Sequence, residues 1–371
     1  MKRELMSPER LAASLAIPDL SDPANGPHAI NMIVKRVRDT LETAYGAIVA
    51  EEYRTDPRVS VKDNYDRLLF PTDNPGRSSR YTRYVTPDTV LRTHTSAAIP
   101  QWLEETDWDV IDDIIVPIPG MCYRRDVVDK IHCGEPHQMD VWRIKKGTPR
   151  LVRADLIDLI ETLLNGVIPG YDYRANEVEH PYTINGLEVE IQVDGEWLEL
   201  LECGEAHPTI LQNAGLDPDR YSGLAMGMGL DRLVMIIKRI DDIRVLRSQD
   251  PRVKRQLLNL DAYVPVSNQP PAVRVLSYSA SLDKTEEDIC ETIRDALGDN
   301  SSHLEEIKVE EIPYGELDDR ARENLGISAN QKNVVATITF RPLEGSLPRK
   351  MVNAWMRDIY PRLNEGTKGY M

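Results

Sequence analysis

The sequence predicts an α+β protein: an antiparallel hairpin between amphipathic helices, followed by a smaller α+β domain. Three observations carry this. Leu187, Val189, Ile191 and Val193 alternate with Glu188, Glu190 and Gln192, Asp194-Gly195 follows, and an extended pattern resumes over Trp197–Leu201. Asp-Gly between two such runs signals a two-residue hairpin. Amphipathic helical patterns lie on both sides of this hairpin in the chain. Beyond a proline-rich stretch, the order strand, helix, strand, strand, helix suggests a ferredoxin-like domain of about 100 residues.

In chain order, residues 28–45 place Ile30, Ile33, Val34, Val37 and Leu41 at helical spacing with charges between them, so they read as an amphipathic helix. Asn64–Arg80 is rich in Pro, Asn, Asp, Gly and Ser and reads as loop and turn. Gly227 and Gly229 lead into a helix over Leu230–Ile240, with Leu230, Leu233, Val234 and Ile237 on one face. A glycine-rich entry to a buried helix suits a strand-to-helix turn near a ligand. Ala262–Ala272 has three prolines and no periodicity and reads as a linker. Then follow strand 273–280, helix 284–297, strands 305–312 and 333–341, and helix 349–363. The expected organisation is a helical segment at 1–50, a main domain at 51–261, a linker at 262–272 and a final domain at 273–371.

Composition narrows the function. The 371 residues carry 45 Lys and Arg against 61 Asp and Glu, a net charge of −16. That argues against a protein whose main task is gripping nucleic-acid backbone. The charge is uneven, however: residues 281–325 hold 5 basic against 15 acidic residues, and residues 340–371 hold 6 against 3. A basic tail on an acidic protein fits a limited nucleic-acid contact, or ordinary surface variation. No apolar stretch approaches the roughly 20 residues that span a bilayer. Four cysteines without CxxC spacing argue for a reducing compartment and against a zinc site. The opening residues lack a signal-peptide pattern, so the expected location is cytoplasmic.

Three clusters could carry chemistry. The first is Tyr123-Arg124-Arg125-Asp126, followed by His132 and then His137-Gln138-Met139-Asp140. The planar arginine fork donates two hydrogen bonds to a phosphate, while Gln and Asp suit an amine; taken alone, surface charge explains the cluster as well. The second, Gly227-x-Gly229-x-x-Arg232, differs from a dinucleotide fingerprint because Arg232 stands where the third glycine belongs and no βαβ unit precedes it. An arginine on the first helical turn behind two glycines sets a fixed cation beside backbone that a nucleotide can approach. The third is Glu199, between Trp197 and Leu201 on one strand face. A carboxylate among apolar neighbours needs a cation, which Mg²⁺ on nucleotide phosphates would supply; the alternative is an edge-strand Glu facing water.

In combination and order, these stretches resemble the second and third signature motifs of the class II aminoacyl-tRNA synthetases, and within them the single-chain, mitochondrial-type phenylalanyl branch. Asp63–Pro75, Leu91–Ser96, Tyr123–Gln138, Gly195–Gly204 and Gly223–Leu233 running into Asp241–Arg244 fall in family order. The tail from about residue 270 resembles the branch's ferredoxin-like anticodon-binding domain. The resemblance implies a catalytic domain built on an antiparallel sheet flanked by helices, and ATP-dependent activation of an amino acid to its adenylate with transfer to tRNA by a monomer that uses ATP and Mg²⁺. It implies that Arg124 holds the α-phosphate, Arg232 the γ-phosphate, Glu199 the Mg²⁺–ATP, and His132 a phosphate. His94, Ser96, Asp126, Gln138 and Asp140 would bind the amino acid's amine and carboxylate.

The departures from the family lie in the side-chain pocket. His180-Pro181-Tyr182 stands for Phe-Pro-Phe, and Leu224-Ala225-Met226 for Phe-Ala-Phe. Pro136 replaces an aromatic residue and Glu202 a glycine. The chain has only two phenylalanines, Phe70 and Phe340. Fewer rings and added polar groups imply phenylalanine or a related, modified side chain as substrate. Two rival readings stay open: an amino-acid-activating paralogue with a non-tRNA acceptor, and a non-catalytic regulator that binds tRNA or a synthetase. Retention of Arg124, Glu199 and Arg232 speaks against the second.

Overall fold

The computed structural model describes residues 4–127, 129–266, 270–342 and 346–368. They group into two compact units, the first from residues up to 124 with 135–240 and 257–262, the second from 125–134, 241–256 and 263 onward. No helix among the described residues is long and apolar enough to cross a membrane.

In the first unit, strands β1 (Arg58–Ser60), β2 (Tyr84–Thr86) and β3 (Thr89–Leu91) form a small sheet with β3 central. The main sheet has six antiparallel strands, β4 (Asp113–Met121), β5 (His137–Lys146), β6 (Tyr173–Glu177), β7 (Thr183–Val193), β8 (Glu196–Ala206) and β9 (Tyr221–Gly229), in the spatial order β4-β5-β9-β8-β7-β6. The turn between β7 and β8 has Asp194 at φ 52° and Gly195 at φ 91°. Two consecutive positive φ values match the right-handed twist of the strands, which is why Asp-Gly specifies this hairpin.

The helix Ala29–Tyr45 starts where predicted because His28 accepts the Ile30 N–H at its N-cap. It buries Ile30, Ile33, Val34, Val37 and Leu41, each contributing about 1.5–3 kcal/mol relative to exposure. The helix expected over 230–240 ends at Lys238, because Arg239 turns left-handed at φ 56°. The buried Lys238 ammonium donates to the carbonyls of Asn259 and Asp261, which ties 257–262 to this unit. Asn64–Arg80 is loop with short helical turns at Asp66–Leu68 and Pro75–Arg77.

In the second unit, strands β10 (Ala272–Ser281), β11 (Leu304–Pro313) and β12 (Gln331–Phe340) form an antiparallel sheet with β12 in the middle. Helices Glu286–Leu297 and Arg349–Leu363 cover one face, over a core that includes Tyr278, Ile293, Ile338, Phe340 and Ile359. The first begins at Glu286 rather than 284 because Thr285 and Asp288 form a capping box. Among the described residues this sheet has three strands, and a short helix, Asp319–Leu325, stands between β11 and β12. Residues 267–269 of the expected linker lie outside the described residues, as do Val128, 343–345 and 369–371.

Candidate active site

A trough runs along β9. In register, Gln138 pairs with Gly229, Asp140 with Gly227 and Trp142 with Ala225. From the other side, Glu202 pairs with Gly227 and Gly204 with Ala225. Directly paired residues share a sheet face, as do residues two apart along a strand. Gly229, Gly227 and Ala225 are therefore the floor, with Gln138, Asp140 and Trp142 on one side and Glu202 on the other. A Cβ on Gly227 would meet only Asp140 Oδ1, at 3.7 Å, and one on Gly229 only the Cβ of Arg232, at 3.9 Å. No protein atom needs those glycines; they keep space for something else. Farther on the trough closes, since a Cβ on Gly204 would meet Thr183 at 2.6 Å and one on Gly223 would meet Ile144 at 2.7 Å.

This contrast makes a prediction. Gly227→Ala should leave the denaturation midpoint unchanged while Gly227→Val lowers kcat/KM for the amino-acid activation that the motif resemblance implies by about 10²-fold, as expected for a substrate displaced by an ångström. A Gly227→Val enzyme of undiminished activity would remove the trough from the site.

The Asp140 wall is strongly built. Asp140, 3% exposed, accepts hydrogen bonds from Thr95 Oγ1 at 2.6 Å, Ser96 Oγ at 2.7 Å and Trp142 Nε1 at 3.1 Å. Burial pushes its carboxyl above the ordinary range, and the three donors and Arg92 oppose that without cancelling it. Cys122 donates to Gln138 Oε1 at 3.4 Å. Phe70 stacks on His94 at 5.4 Å and meets Tyr182 at 6.0 Å, while Tyr182 stacks on Trp142 at 6.3 Å. The half-buried Tyr182 reaches Ser96 with its hydroxyl, and burial keeps that phenol protonated. An aromatic wall thus stands beside a buried carboxylate.

His94 belongs to this wall. Both its ring nitrogens are sealed from water. Burial first, and the Arg124 charge second, push it down to about 3. Below the free-imidazole value of about 6.5 the unfolded chain takes up a proton that the native state refuses, so stability falls as pH drops from 6.5 toward 3. Urea unfolding should show about 2 kcal/mol less stability at pH 5 than at pH 7 from this group. His94→Gln should remove that share of the difference; an unaltered pH dependence would contradict the assignment.

At the Gly229 end, Arg232 on the first turn of Leu230–Lys238 donates Nη1 to the Glu199 carbonyl at 2.6 Å and lies 3.5 Å from Glu199 Oε2. The strand expectation is corrected here. Glu190 pairs with Glu199 but Val189 with Leu201, so β8 bulges at Leu200. Trp197 and Glu199 share a face with Glu202, while Leu201 turns to the opposite one; the bulge re-aims the carboxylate toward Arg232. Arg124 donates Nε to the Thr93 carbonyl at 2.7 Å, and its charge acts on His94, Tyr182 and Glu202.

Other expected residues fall elsewhere. Leu224 and Met226 are 0% and 1% exposed, but strand alternation turns them to the face opposite Ala225, so of that triplet only Ala225 lines the trough. Asp126 and His132 lie on the loop 125–134 of the second unit, where His132 Nδ1 is 2.7 Å from Asp129 Oδ2. Sequence reasoning passed over Trp142, Thr95 and Phe70, although alternation from Gln138 through Asp140 reaches Trp142. It named His137 in its first cluster without assigning it a role; its Nε2 accepts the Leu20 N–H at 3.0 Å while Nδ1 lies 3.0 Å from Asp231 Oδ1, next to Arg232.

A six-stranded antiparallel sheet whose central strand runs through Gly-x-Gly-x-x-Arg into a helix defines a class of protein, and comparison agrees: residues 16–257 match the family described as tRNA synthetases class II core domain (F). The chain is 33% identical over 275 residues to the mitochondrial phenylalanine--tRNA ligase of Dictyostelium discoideum, covering 65% of this chain and 58% of that one. It is 31% identical over 258 residues to the phenylalanine--tRNA ligase alpha subunit of Acaryochloris marina, covering 69% and 76%. With the chloroplastic/mitochondrial phenylalanine--tRNA ligase of Arabidopsis thaliana it shares 29% over 338 residues, covering 88% and 74%. The chain belongs to the phenylalanine--tRNA ligase family of class II aminoacyl-tRNA synthetases, a family of ATP-dependent ligases.

Proposed function

We propose that this protein activates phenylalanine or a related aromatic amino acid with ATP and passes the acyl group to tRNA. The observation that carries this reading is the trough with Arg232 at its Gly229 end, an aromatic wall around a buried carboxylate at the other, and Arg124 beside that wall. An amino acid lying over Gly227 would bring its ammonium group toward Asp140, Ser96 and Gln138. Asp140, held above the ordinary carboxylate range by burial, gains a counter-charge when that cation arrives. The substrate carboxylate, already ionised, attacks the α-phosphorus; the bond from that phosphorus to the oxygen bridging to the β-phosphate breaks, and pyrophosphate leaves. Arg124 is assigned to the α-phosphate, where charge builds, and Arg232 to the γ-phosphate. In the second step a terminal ribose hydroxyl of tRNA attacks the acyl carbon and AMP departs.

The residues fit a magnesium ion held mainly by substrate phosphates. Among the described residues no three acidic, histidine or cysteine side chains form a cage for a metal, and Glu199 offers one accessible carboxylate beside Arg232. Bound there, Mg²⁺ would neutralise phosphate charge; Glu199 would hold and orient it. The second unit is assigned to tRNA, with the protein acting as a cytoplasmic monomer. Amino-acid-dependent ATP–pyrophosphate exchange followed by charging of tRNA tests the reading. Exchange without charging would favour a non-tRNA acceptor, which the acidic segment at 281–325 also suits; no exchange with any amino acid would overturn activation itself.

A further inference from the structure

The trough has a polar flank that an all-hydrocarbon side chain leaves unused. Glu202 shares a row and a face with Gly227, on the side opposite Asp140. Its carboxylate lies 3.4 Å from His180 Nε2. The His180 side chain is only 9% exposed, and its Nε2 is sealed from water, facing that carboxylate. Its ring is held in place: it stacks on Tyr182 at 6.0 Å, and its Nδ1 lies 3.3 Å from Thr183 Oγ1. His180 holds the Glu202 carboxyl below the ordinary range against the effect of burial, so Glu202 is an ionised acceptor. Its side chain retains 41% exposure, which leaves its remaining lone pairs open to solvent.

A bare phenyl ring entering over Gly227 strips that water and returns nothing. A side chain with a hydroxyl or amino group returns the hydrogen bond. A site built around a buried polar group discriminates strongly against the analogue that lacks the matching group, whereas an apolar pocket discriminates weakly against an added one. We propose that Glu202, oriented by His180, selects an aromatic amino acid whose side chain carries a hydrogen-bond donor in preference to phenylalanine; this rests on the amino-acid activation proposed above.

The test is ATP–pyrophosphate exchange by the full chain with phenylalanine, tyrosine, 3-hydroxyphenylalanine, β-hydroxyphenylalanine and 4-aminophenylalanine. At least one donor-bearing substrate should exceed phenylalanine in kcat/KM by about tenfold or more. Glu202→Ala should bring that ratio down about tenfold, with phenylalanine gaining and the donor-bearing substrate losing. His180→Phe, which frees the carboxylate to turn away, should move the ratio in the same direction. If the alanine variant lacks a folded circular-dichroism signal, the isosteric Glu202→Gln carries the comparison, and 4-aminophenylalanine should lose most. Preference for phenylalanine in the unaltered protein, or a ratio unmoved by these variants, overturns the selectivity and leaves activation standing. Silence with every substrate overturns activation and the selectivity with it.

Discussion

Arg232→Ala should lower amino-acid-dependent ATP–pyrophosphate exchange by about 10²–10³-fold, the scale seen when one group aimed at developing charge is removed. The side chain sits on the first turn of a helix anchored by buried Leu230, Leu233 and Val234, so its position is set by the core rather than by the substrate. Its recorded bond to the Glu199 carbonyl fixes one guanidinium nitrogen and leaves the rest of the planar fork for phosphate. Arg232→Lys should recover little, because a point charge cannot serve the carbonyl and a phosphate together. Stability should change little, since the side chain is 31% exposed. Stopped-flow or radiolabel exchange assays decide; a variant within threefold of the parent removes Arg232 from the phosphate site.

Asp140→Ala should cost the first unit about 3–5 kcal/mol, the range for deleting one member of a buried charged network. Thr95, Ser96 and Trp142 all donate to this carboxylate from buried positions. Removing it orphans three donors at once, and each unmet buried donor costs about 1–3 kcal/mol. Asp140→Asn keeps the volume and one acceptor oxygen and should cost about half as much. If the proposed amine contact holds, the Asn variant should also raise KM for the amino acid well beyond KM for ATP. A stable alanine variant with unchanged kinetics would show that the network neither supports the fold nor meets the substrate.

Much of the architecture was written in local patterns. The Asp194-Gly195 turn, the 29–45 helix and the strand-to-helix passage at Gly229 follow from positive φ, a capped amphipathic stripe and a glycine entry, all properties of neighbouring residues. The trough was legible only in part. Its glycines and Arg232 are contiguous in sequence, but the row joining Asp140, Gly227 and Glu202 comes from three strands whose register the chain does not spell out. The assignment of Leu224 and Met226 to the pocket failed for a simple reason: a residue triplet in a strand cannot present all three side chains to one face. Loop 125–134 groups with the second unit because the Lys130 carbonyl oxygen accepts the Ile243 N–H and its ammonium reaches Glu305 at 3.3 Å, contacts more than a hundred residues away in sequence.

The extra residue at Leu200 gives β8 an unusual response to changes in length. Substituting Leu200 by another apolar residue should be mild, yet deleting it would restore an unbroken ladder with β7. That deletion would leave Glu199 and Glu202 two apart and still on one face. One residue added to β7 opposite Leu200 does the reverse: with every residue of β8 paired, period-two alternation must turn either Glu199 or Glu202 from the trough to the opposite, apolar face of the sheet. One codon gained in β7 would therefore bury a carboxylate, while one lost at Leu200 would not. The two strands should drift freely in side-chain identity across evolutionary time while β7 gains no residue at that point.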